Sequence, residues 1–290
     1  MGTTTTPTPG IYHNVPADEY FAWRAVNNSS LTYLARSPMH YRYQPPMDAT
    51  AAMWFGTLGH CGVLEPEALK ERYDIIPDLI NEKTGKPYGV QTQKYLNHVM
   101  EFKEKSGREV ATKSDFTDML RIVTAVHGNE FARQYLCPRG KSEVCVVWED
   151  PDSRVLCKAR CDKWDGVATI CDLKTTKDAS DFERSIAKFA YHRQAAFYSD
   201  GMTVATGTPH RFGIVAVEKT EPFGVRGGFV SQAAVAQGRR EYRRLLLTLA
   251  ECRLKNEWPG YDDPDEWTLP AWAIETEEPQ LSLNGEMVIL

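Results

Sequence analysis

The chain has 290 residues, of which 42% are hydrophobic and 25% are charged, and its formal net charge is −5. This composition is typical of a globular protein with one large core, or one core and a smaller helical annex. It excludes a membrane-spanning protein, because no apolar run reaches the roughly 18 residues that a span requires. The acidic balance does not indicate a nucleic-acid-binding protein, although it is compatible with a local basic groove.

The first ten residues, MGTTTTPTPG, lack the basic and apolar regions of a signal peptide, so we expect a cytoplasmic protein. Seven cysteines, an odd number, are more typical of reduced thiols than of a disulfide framework. The spacing of Cys157, Cys161 and Cys171 matches neither a zinc pattern nor an iron–sulfur set. The sequence therefore predicts neither zinc nor an iron–sulfur cluster.

The N-terminal half is predicted to be mainly helical. Residues 1–28 are predicted to form an extended arm. A helix with Asn or Ser caps begins in NNSSLTYLARSPMHYRYQ and stops at Pro38. Three further helical segments are predicted at 51–61, 95–106 and 114–136, and an exposed loop is predicted at 78–95. We expect residues 29–136 to form a helical annex.

The second half changes to short β-rich runs followed by helices. Three strands are predicted in SEVCVVWED, RVLCKARCDKWDG and VATICDLKTT, with a tight hairpin at 164–166. A helix at 180–200, a strand at 210–219 and a long helix at 231–257 follow. This order predicts an α/β fold with a mixed central sheet flanked by helices. The predicted organisation is one domain at 29–258, with its core at 142–257, and an acidic, Pro-rich tail at 259–290.

Two aspartates and a lysine fall on neighbouring predicted strands. Residues two apart on a strand point to the same face, so Asp172 and Lys174 share one face. If the strands pair across the hairpin, Asp162 meets Asp172 near one end of the sheet. Converging carboxylates repel unless a cation lies between them, and hard oxygen ligands suit Mg²⁺ or Mn²⁺. The alternative is a structural ion pair of Asp172 with Lys174 or Lys158, and the triplet alone leaves both open.

Two further patterns accompany this triplet. Tyr191, Gln194 and Tyr198 are spaced to lie on one helical face, where they either position a phosphate or simply pack. His60 lies among three glycines in a helical segment, which indicates a close backbone approach rather than helix stability. A lone histidine is also compatible with a satisfied position in the core.

Six segments together resemble the RecE-type exonucleases (exodeoxyribonuclease VIII) of phages and prophages, within the PD-(D/E)XK nuclease superfamily. They are NNSSLTYLARSPMHY, GTLGHCGVLEPE, SEVCVVWED, CKARCD, CDLKTT and YHRQAAFYSDG, spread over roughly residues 11–200. The resemblance implies a PD-(D/E)XK nuclease core with an N-terminal helical annex. One position departs from the superfamily pattern: Cys161, and not a proline, precedes Asp162.

The resemblance also implies the roles of individual residues. The metal ligands would be His60, Asp162, Asp172 and the backbone carbonyl of Leu173. The catalytic residues would be Lys174, Asp162, Asp172, Gln194 and Tyr198, with Glu143 in a supporting position. Mg²⁺ is the expected metal, with Mn²⁺ able to substitute, and one or two metals per site remain open.

Two clusters are candidates for contact with DNA. Arg24, Ser29, Ser30 and Arg36 surround the first predicted helix start, where free N–H groups suit a terminal 5′-phosphate. Tyr191 is a further candidate. The second cluster is on the late helix and is equally compatible with a solvated face paired to Glu241 and Glu251. Its members are Arg239, Arg240, Arg243 and Arg244.

The expected activity is Mg²⁺-dependent 5′-to-3′ digestion of linear double-stranded DNA, leaving 3′ single strands for recombination by an annealing protein. The resemblance further implies a ring-shaped homo-oligomer, trimer or tetramer, acting in the cytoplasm of a bacterial host and encoded by a phage or prophage. The alternatives are a nuclease of other polarity, an endonuclease, or a catalytically dead scaffold that binds DNA ends. The tail either docks the annealing partner or is disordered.

Overall fold

The computed structural model describes residues 5–45, 50–137, 140–264, 266–270, 273, 280–283 and 286–289. The described strands are β1 (Gly10–Tyr12), β2 (Tyr73–Ile75), β3 (Glu109–Ala111), β4 (Lys141–Glu149), β5 (Leu156–Trp164), β6 (Thr169–Thr176), β7 (Arg211–Glu218), β8 (Val225–Phe229), β9 (Gln280–Leu283) and β10 (Glu286–Ile289). The described helices are α1 (Ala17–Ala22), α2 (Asn28–Arg36), α3 (Pro38–Arg42), α4 (Ala51–Leu64), α5 (Leu69–Arg72), α6 (Gln93–Ser106), α7 (Lys113–Gly128), α8 (Glu130–Tyr135), α9 (Phe182–Lys188), α10 (Tyr191–Thr206) and α11 (Gln232–Lys255). A 3₁₀ turn, Pro66–Ala68, precedes α5.

The central sheet has six strands in the order β1-β4-β5-β6-β7-β8. The β6–β7 pair is parallel and the other pairs are antiparallel, so the predicted mixed sheet is confirmed. The parallel pair is joined through α9 and α10, as crossover connections require. β7 is buried on its two faces, which explains its nearly continuous apolar sequence, whereas β6 is buried mainly in its first half and carries Asp172 and Lys174.

Helices cover both faces of this sheet. On one face α2, α10 and α11 enclose a core with Trp148, Phe197 and Leu246 among its buried side chains. On the other face α4, α7 and α8 pack over β6 and β7, with Leu173 and Val215 buried between them. The helices of the predicted annex therefore do not form one body, because α2 lies on the opposite face from α4 and α7.

The segment predicted as an extended arm is folded into the domain where the structure describes it. β1 pairs with β4 as an edge strand and places Tyr12 opposite Cys145. Tyr20 and Trp23 are buried and, with Tyr12, pack against Cys145. The sequence pattern missed this because the four aromatic residues of this segment, Tyr12, Tyr20, Phe21 and Trp23, follow no sustained helical or strand period.

Two predicted helices are each divided. The helix predicted at 114–136 breaks at Asn129, whose side chain accepts the N–H of Ala132 at 3.0 Å and caps α8. The helix predicted at 180–200 breaks at Ala190, which adopts φ +53°, and α10 then continues to Thr206. A residue in the left-handed conformation cannot continue a right-handed α-helix. The break is therefore set by one backbone angle, which the spacing of hydrophobic residues does not predict.

Three further differences concern connecting and terminal segments. The predicted loop at 78–95 ends earlier, because Thr92 caps α6 by accepting the N–H of Tyr95. The edge strand β8 was not predicted, because its sequence VRGGF has no alternating pattern. In the predicted tail, β9 and β10 form an antiparallel hairpin, and much of the remainder lies outside the described residues. Within the part of the chain that the structure describes, no helix has both the length and the apolarity to cross a membrane.

Candidate active site

The site begins where two antiparallel strands separate. The β5–β6 ladder pairs Trp164 with Ile170 and Lys163 with Cys171 and extends no further. The N–H of Leu173 is therefore not used by a β5 carbonyl, and it donates to Asp162 Oδ2 at 2.8 Å. A carboxylate takes the place of a ladder hydrogen bond, which fixes Asp162 at the mouth of the opening.

Glu143 lies directly across the β4–β5 ladder from Asp162. The register pairs Ser142 with Lys163 and Val144 with Cys161, which leaves Glu143 and Asp162 opposite each other. Glu143 has φ +55°, a left-handed backbone conformation that is costly for any residue with a Cβ atom. The Nε of Arg160 donates to Glu143 Oε2 and holds the carboxylate in this kinked position.

Helix α4 brings His60 to the same opening. Its Nδ1 lies 3.5 Å from Asp162 Oδ2. The predicted close approach of this helix is present at Gly62, where a Cβ would meet Met119 Sδ at 2.4 Å, and more mildly at Gly56, 3.3 Å from Thr175 Oγ1. Burial lowers the pKa of His60 to about 4, so the imidazole is neutral at neutral pH and keeps a lone pair for a ligand.

These three side chains fit a divalent cation. One ligand atom each of His60, Glu143 and Asp162 lie within 4.8 Å of one another. Burial first, and then the carboxylates of Asp172 and Glu143, raise the pKa of Asp162 well above its ordinary range. A bound cation would relieve that repulsion, and carboxylate oxygens with one imidazole suit Mg²⁺ or Mn²⁺. Glu143, expected only to support the site, is thus as well placed as the expected ligands.

Asp172 has other partners in this structure. Its Oδ1 accepts a hydrogen bond from Gln194 Nε2 at 2.8 Å, and its Oδ2 lies 2.6 Å from Lys174 Nζ. The side chain is only 2% exposed. Asp172 therefore lies outside the three-residue group, although its charge acts on Asp162.

Lys174 is held between a carboxylate and an aromatic face. Besides its contact with Asp172, its Nζ lies 4.8 Å above the ring centre of Tyr191, a cation–π geometry. Burial lowers the pKa of Lys174, but the charges of Asp172 and Asp162 outweigh it and raise the pKa above its ordinary value. The ammonium is therefore charged and 20% of the side chain is exposed. Tyr191, predicted as a DNA contact, lies under this lysine.

The other predicted residues of α10 have different surroundings. Gln194 reaches Asp172 as described, whereas Tyr198 packs edge-on against Phe212 at 5.9 Å between ring centres. Sequence reasoning missed Arg193, which is 4% exposed and donates to Asn28 Oδ1 at 3.2 Å and Thr32 Oγ1 at 2.7 Å. Its position directly before Gln194 was the available signal, but nothing in the sequence showed that this arginine is buried.

The predicted DNA contacts around α2 are only partly brought together. Asn27 is the cap, accepting the N–H of Ser30 at 2.8 Å, and the Ser30 hydroxyl donates to the Asn27 carbonyl at 2.8 Å. Ser29 is exposed at the helix start, and Arg24 is exposed a few residues before it. Arg36 lies in the last turn of α2 and not at its start. Its Nε donates to the hydroxyl of Tyr261.

The arginines of α11 are largely engaged within the chain. Arg239 forms two hydrogen bonds of 2.7 Å with Asp200, and Arg243 lies 3.5 Å from Asp152. Arg240 bonds to Gln237 on the same helix. The carboxylate partners of Arg239 and Arg243 are thus Asp200 and Asp152 and not the expected Glu241 and Glu251, which contact His192 and Lys255.

A cleft of about 700 Å³ borders the site at Glu143. Arg160, Arg72 and Arg108 also line this cleft. The last two arginines are paired with carboxylates, Arg72 with Glu65 by two hydrogen bonds of 2.7 and 2.9 Å and Arg108 with Asp74 at 3.2 Å. A DNA backbone that entered this cleft would therefore have to displace the carboxylates from these arginines.

Comparisons with known proteins identify the family and the fold of this chain. No curated protein matches the sequence. A "putative exonuclease" from Eubacterium rectale aligns over 92% of this chain and 96% of its own, with a TM-score of 0.57 and 13% identity, a likeness that shows the fold alone. The structure of SSO0001 aligns over 70% of this chain and 88% of its own with 13% identity, but its TM-score of 0.29 carries no argument. The model of the family described as a PDDEXK-like domain of unknown function (DUF3799) matches residues 25–265, so the chain belongs to this family and the predicted PD-(D/E)XK fold is confirmed.

Proposed function

We propose that this chain is a metal-dependent 5′-to-3′ exonuclease acting on linear double-stranded DNA. The observation that carries the proposal is the convergence of His60, Glu143 and Asp162 within 4.8 Å, beside the paired Asp172 and Lys174. The family description and the fold of the Eubacterium rectale protein support a nuclease. The metal, the polarity and the biological setting go beyond them.

The proposed metal is Mg²⁺, with Mn²⁺ able to substitute. His60, Glu143 and Asp162 would hold it, and Asp172 and the carbonyl of Leu173, one strand away, would be the adjoining ligands. When bound, such a cation supplies activation of water and stabilisation of charge on a phosphate. Neutral His60 and the desolvated, mutually repelling carboxylates are suited to that ligand set.

Lys174 is the proposed catalytic lysine. Its ammonium, held by Asp172 and the face of Tyr191, donates hydrogen bonds to the phosphate oxygen on which charge develops. Gln194 keeps Asp172 oriented through its amide, so that the lysine is positioned from two sides. Tyr198, predicted as catalytic, acts in this scheme by packing α10 onto β7 through Phe212.

The start of α2 is the proposed site for a terminal 5′-phosphate. Helix N-termini attract phosphates through free N–H groups, and Ser29 is exposed there. The buried guanidinium of Arg193 lies against Asn28 and Thr32 in the first turn of α2, which adds a positive charge behind that start. Because Gln194 follows Arg193 directly, the first turn of α10 contacts both the proposed phosphate site and Asp172.

Three finer elements of the proposal rest on the resemblance to RecE-type exonucleases. They are the 3′ single-stranded product used for recombination with an annealing partner, the ring-shaped trimer or tetramer, and the phage or prophage origin with action in the host cytoplasm. Mass measurement of the native protein in solution tests the ring directly. A monomer at working concentration would remove that element without affecting the site.

The proposal is tested with linear duplex DNA labelled at either the 5′ or the 3′ end, in Mg²⁺ or in EDTA. We expect early release of the 5′ label that requires Mg²⁺. Lys174→Ala should reduce the rate by about 10²–10³-fold, the effect of removing one donor to a developing oxyanion. Lys177→Ala is the matched control, because Lys177 is exposed three residues further along and should leave the rate unchanged.

Each other outcome contradicts a definite element. Early release of the 3′ label would keep the nuclease and reject the polarity. Cleavage of closed circular DNA at the same rate would identify an endonuclease. Retained binding to DNA ends without any cleavage, in both Mg²⁺ and Mn²⁺, would identify a catalytically dead scaffold.

A further inference from the structure

A surface of arginines and aromatic rings lies where the chain beyond α11 crosses α2 and α3. The backbone N–H of Met39 donates to the carbonyl of Pro259 at 2.9 Å and fixes this crossing. We call the surface the arginine–aromatic face, and its members are Arg36, Tyr41, Arg42, Tyr43, Trp258 and Tyr261. It is separate from the candidate active site, and only Arg36 is among the residues predicted from the sequence to contact DNA.

The rings and guanidinium groups of this face are stacked on one another. Tyr41 and Trp258 are nearly parallel, with 6.2 Å between ring centres and an interplanar angle of 11°. The guanidinium of Arg42 lies 5.7 Å from the ring centre of Trp258 and 5.9 Å from that of Tyr43. Arg36 lies 5.8 Å from the ring centre of Tyr261. The face therefore alternates positive charge and π surface.

The charges of this face are not neutralised by the described residues. Arg36 contacts Tyr261, Arg42 contacts aromatic rings, and the neighbouring Arg253 donates to the hydroxyl of Tyr41 at 3.4 Å. None of the three forms an ion pair with a carboxylate in the part of the chain that the structure describes. Arg121 and Arg239 elsewhere on the surface do form such pairs, at 2.9 and 2.7 Å.

Internal packing accounts for only part of this arrangement. A clasp that fastens the chain after α11 to α3 explains the stacking of Tyr41 on Trp258. It does not require Tyr43, which is 70% exposed, or Tyr261, which is 64% exposed. Exposed aromatic faces beside unneutralised guanidinium groups are the elements with which proteins hold single-stranded nucleic acid, through base stacking and phosphate contacts.

We propose that the arginine–aromatic face binds single-stranded DNA. A duplex offers phosphates but hides its base faces, whereas a single strand offers both phosphates and unstacked bases to Tyr43 and Tyr261. The face begins at Arg36, at the C-terminal end of α2, about 12 Å along that helix from Asn28, which accepts a hydrogen bond from Arg193. If the proposed exonuclease function holds, the occupant is the strand that digestion leaves behind.

Three acidic residues adjoin this face in the chain and oppose the binding, Glu257 before Trp258 and two aspartates after Tyr261. Asp262 and Asp263 directly follow Tyr261 in the chain. Their charges repel a polyanion at close range, so their removal should strengthen binding if the face is the binding surface. Asp262→Asn with Asp263→Asn is therefore a variant whose expected effect is a gain, which loss of folding cannot imitate.

The experiment is fluorescence anisotropy of a labelled 20-nucleotide oligothymidine with the full-length protein in EDTA, where cleavage does not occur. Tyr43→Ala should weaken binding roughly tenfold, within the range of one lost base–aromatic stack. Arg42→Gln should lower the slope of log affinity against log salt by about 0.7, one phosphate contact on a single strand. Phe21→Ala, at an aromatic residue of similar exposure (69%) away from the face, and Arg121→Gln, at an arginine paired with Glu221, are the controls and should bind as wild type does.

The outcomes separate this proposal from the proposed function. Unchanged affinity for oligothymidine in Tyr43→Ala and Arg42→Gln overturns it. An equal loss of affinity for oligothymidine and for a duplex of the same length in Tyr43→Ala also overturns it, because a duplex hides its base faces from Tyr43. Displacement of oligothymidine by poly-glutamate at equal charge concentration also overturns it, because the face would then recognise charge alone. Because EDTA prevents catalysis, ordered loss and gain of binding among these variants would uphold the face even if no cleavage of DNA were found.

Discussion

Replacing Asp162 by asparagine should stabilise the protein in the absence of metal. The Asp162 carboxylate is desolvated and faces Asp172 and Glu143, and the pKa of Asp162 is raised accordingly. An asparagine amide has the same shape, and its oxygen can still accept the N–H of Leu173 that Asp162 accepts at 2.8 Å. Neutral replacement of poorly compensated buried charge stabilises by about 1–4 kcal/mol in favourable cases, and we expect about 1–3 kcal/mol here.

The same replacement should remove the stabilisation that metal provides. At roughly 2–4 °C per kcal/mol, Asp162→Asn should raise the melting temperature in EDTA by about 2–12 °C. In Mg²⁺ at 100 times its dissociation constant, the wild type should gain about 2.7 kcal/mol and the variant little or nothing. The assay is thermal or urea unfolding of both proteins, in EDTA and in saturating Mg²⁺, so that no nuclease activity is needed.

Asp165→Asn is the matched control, with the opposite expected sign. Its Oδ1 accepts the N–H groups of Val167, Ala168 and Thr169 at 2.8 to 2.9 Å in the β5–β6 turn. Although burial acts in the other direction, these hydrogen bonds lower the pKa of Asp165, so its charge stabilises the fold. Lower stability of Asp162→Asn than of the wild type in EDTA would refute the inferred repulsion, and an equal gain from Mg²⁺ would refute Asp162 as a metal ligand.

Three other substitutions test separate parts of the structure. Glu143→Gln should weaken Mg²⁺ or Mn²⁺ binding about tenfold by calorimetry while leaving the fold intact, and unchanged affinity would exclude Glu143 as a ligand. Burial lowers the pKa of Lys158 from 10.5 to about 8, so the unfolded chain binds the proton of this lysine more tightly than the folded chain does. The contribution of Lys158 to the free energy of unfolding therefore rises between about pH 8 and 10.5. Unfolding titrations at pH 7.5 and 9.5 should show that rise diminished in Lys158→Met, and an identical pH dependence would contradict it. Gly238→Ala places a Cβ 2.2 Å from the carbonyl oxygen of His192 and should cost about 1–3 kcal/mol, whereas Gly228→Ala, with nothing within 4 Å, should be neutral in the same unfolding assay.

The parts of the site that could be predicted follow from local periodicity. The two-residue period of a strand correctly placed Asp172 and Lys174 on one face, where their charged atoms are 2.6 Å apart. The strands β4, β5 and β6 were recognisable because each is a short apolar run between turn signals. The helical period likewise placed Gln194 where it reaches Asp172. In each case the geometry is fixed within a few residues of sequence.

The remaining features depend on contacts between distant segments. The kink at Glu143 is set by a backbone angle that its sequence neighbourhood does not reveal, and it decides which carboxylates converge. The burial of Arg193 follows from the packing of α2 on α10, and the contact of Tyr198 with Phe212 follows from the packing of α10 on β7. Asp172, expected as a metal ligand, contacts Lys174 on its own strand and Gln194 on α10, and its role as a ligand stays a prediction.

The candidate site combines three features that are unfavourable in themselves and that one cation would offset together. The Asp162 carboxylate is desolvated beside like charge, Glu143 holds a strained positive φ, and burial keeps His60 neutral. Each weakens the fold, since strained residues cost on the order of 1–3 kcal/mol and buried repelling charges a similar amount. A protein that only bound DNA ends would be stabilised by replacing any of the three. Their presence together, with a charged Lys174 beside them, therefore favours a metal-dependent nuclease over a scaffold that has lost its activity.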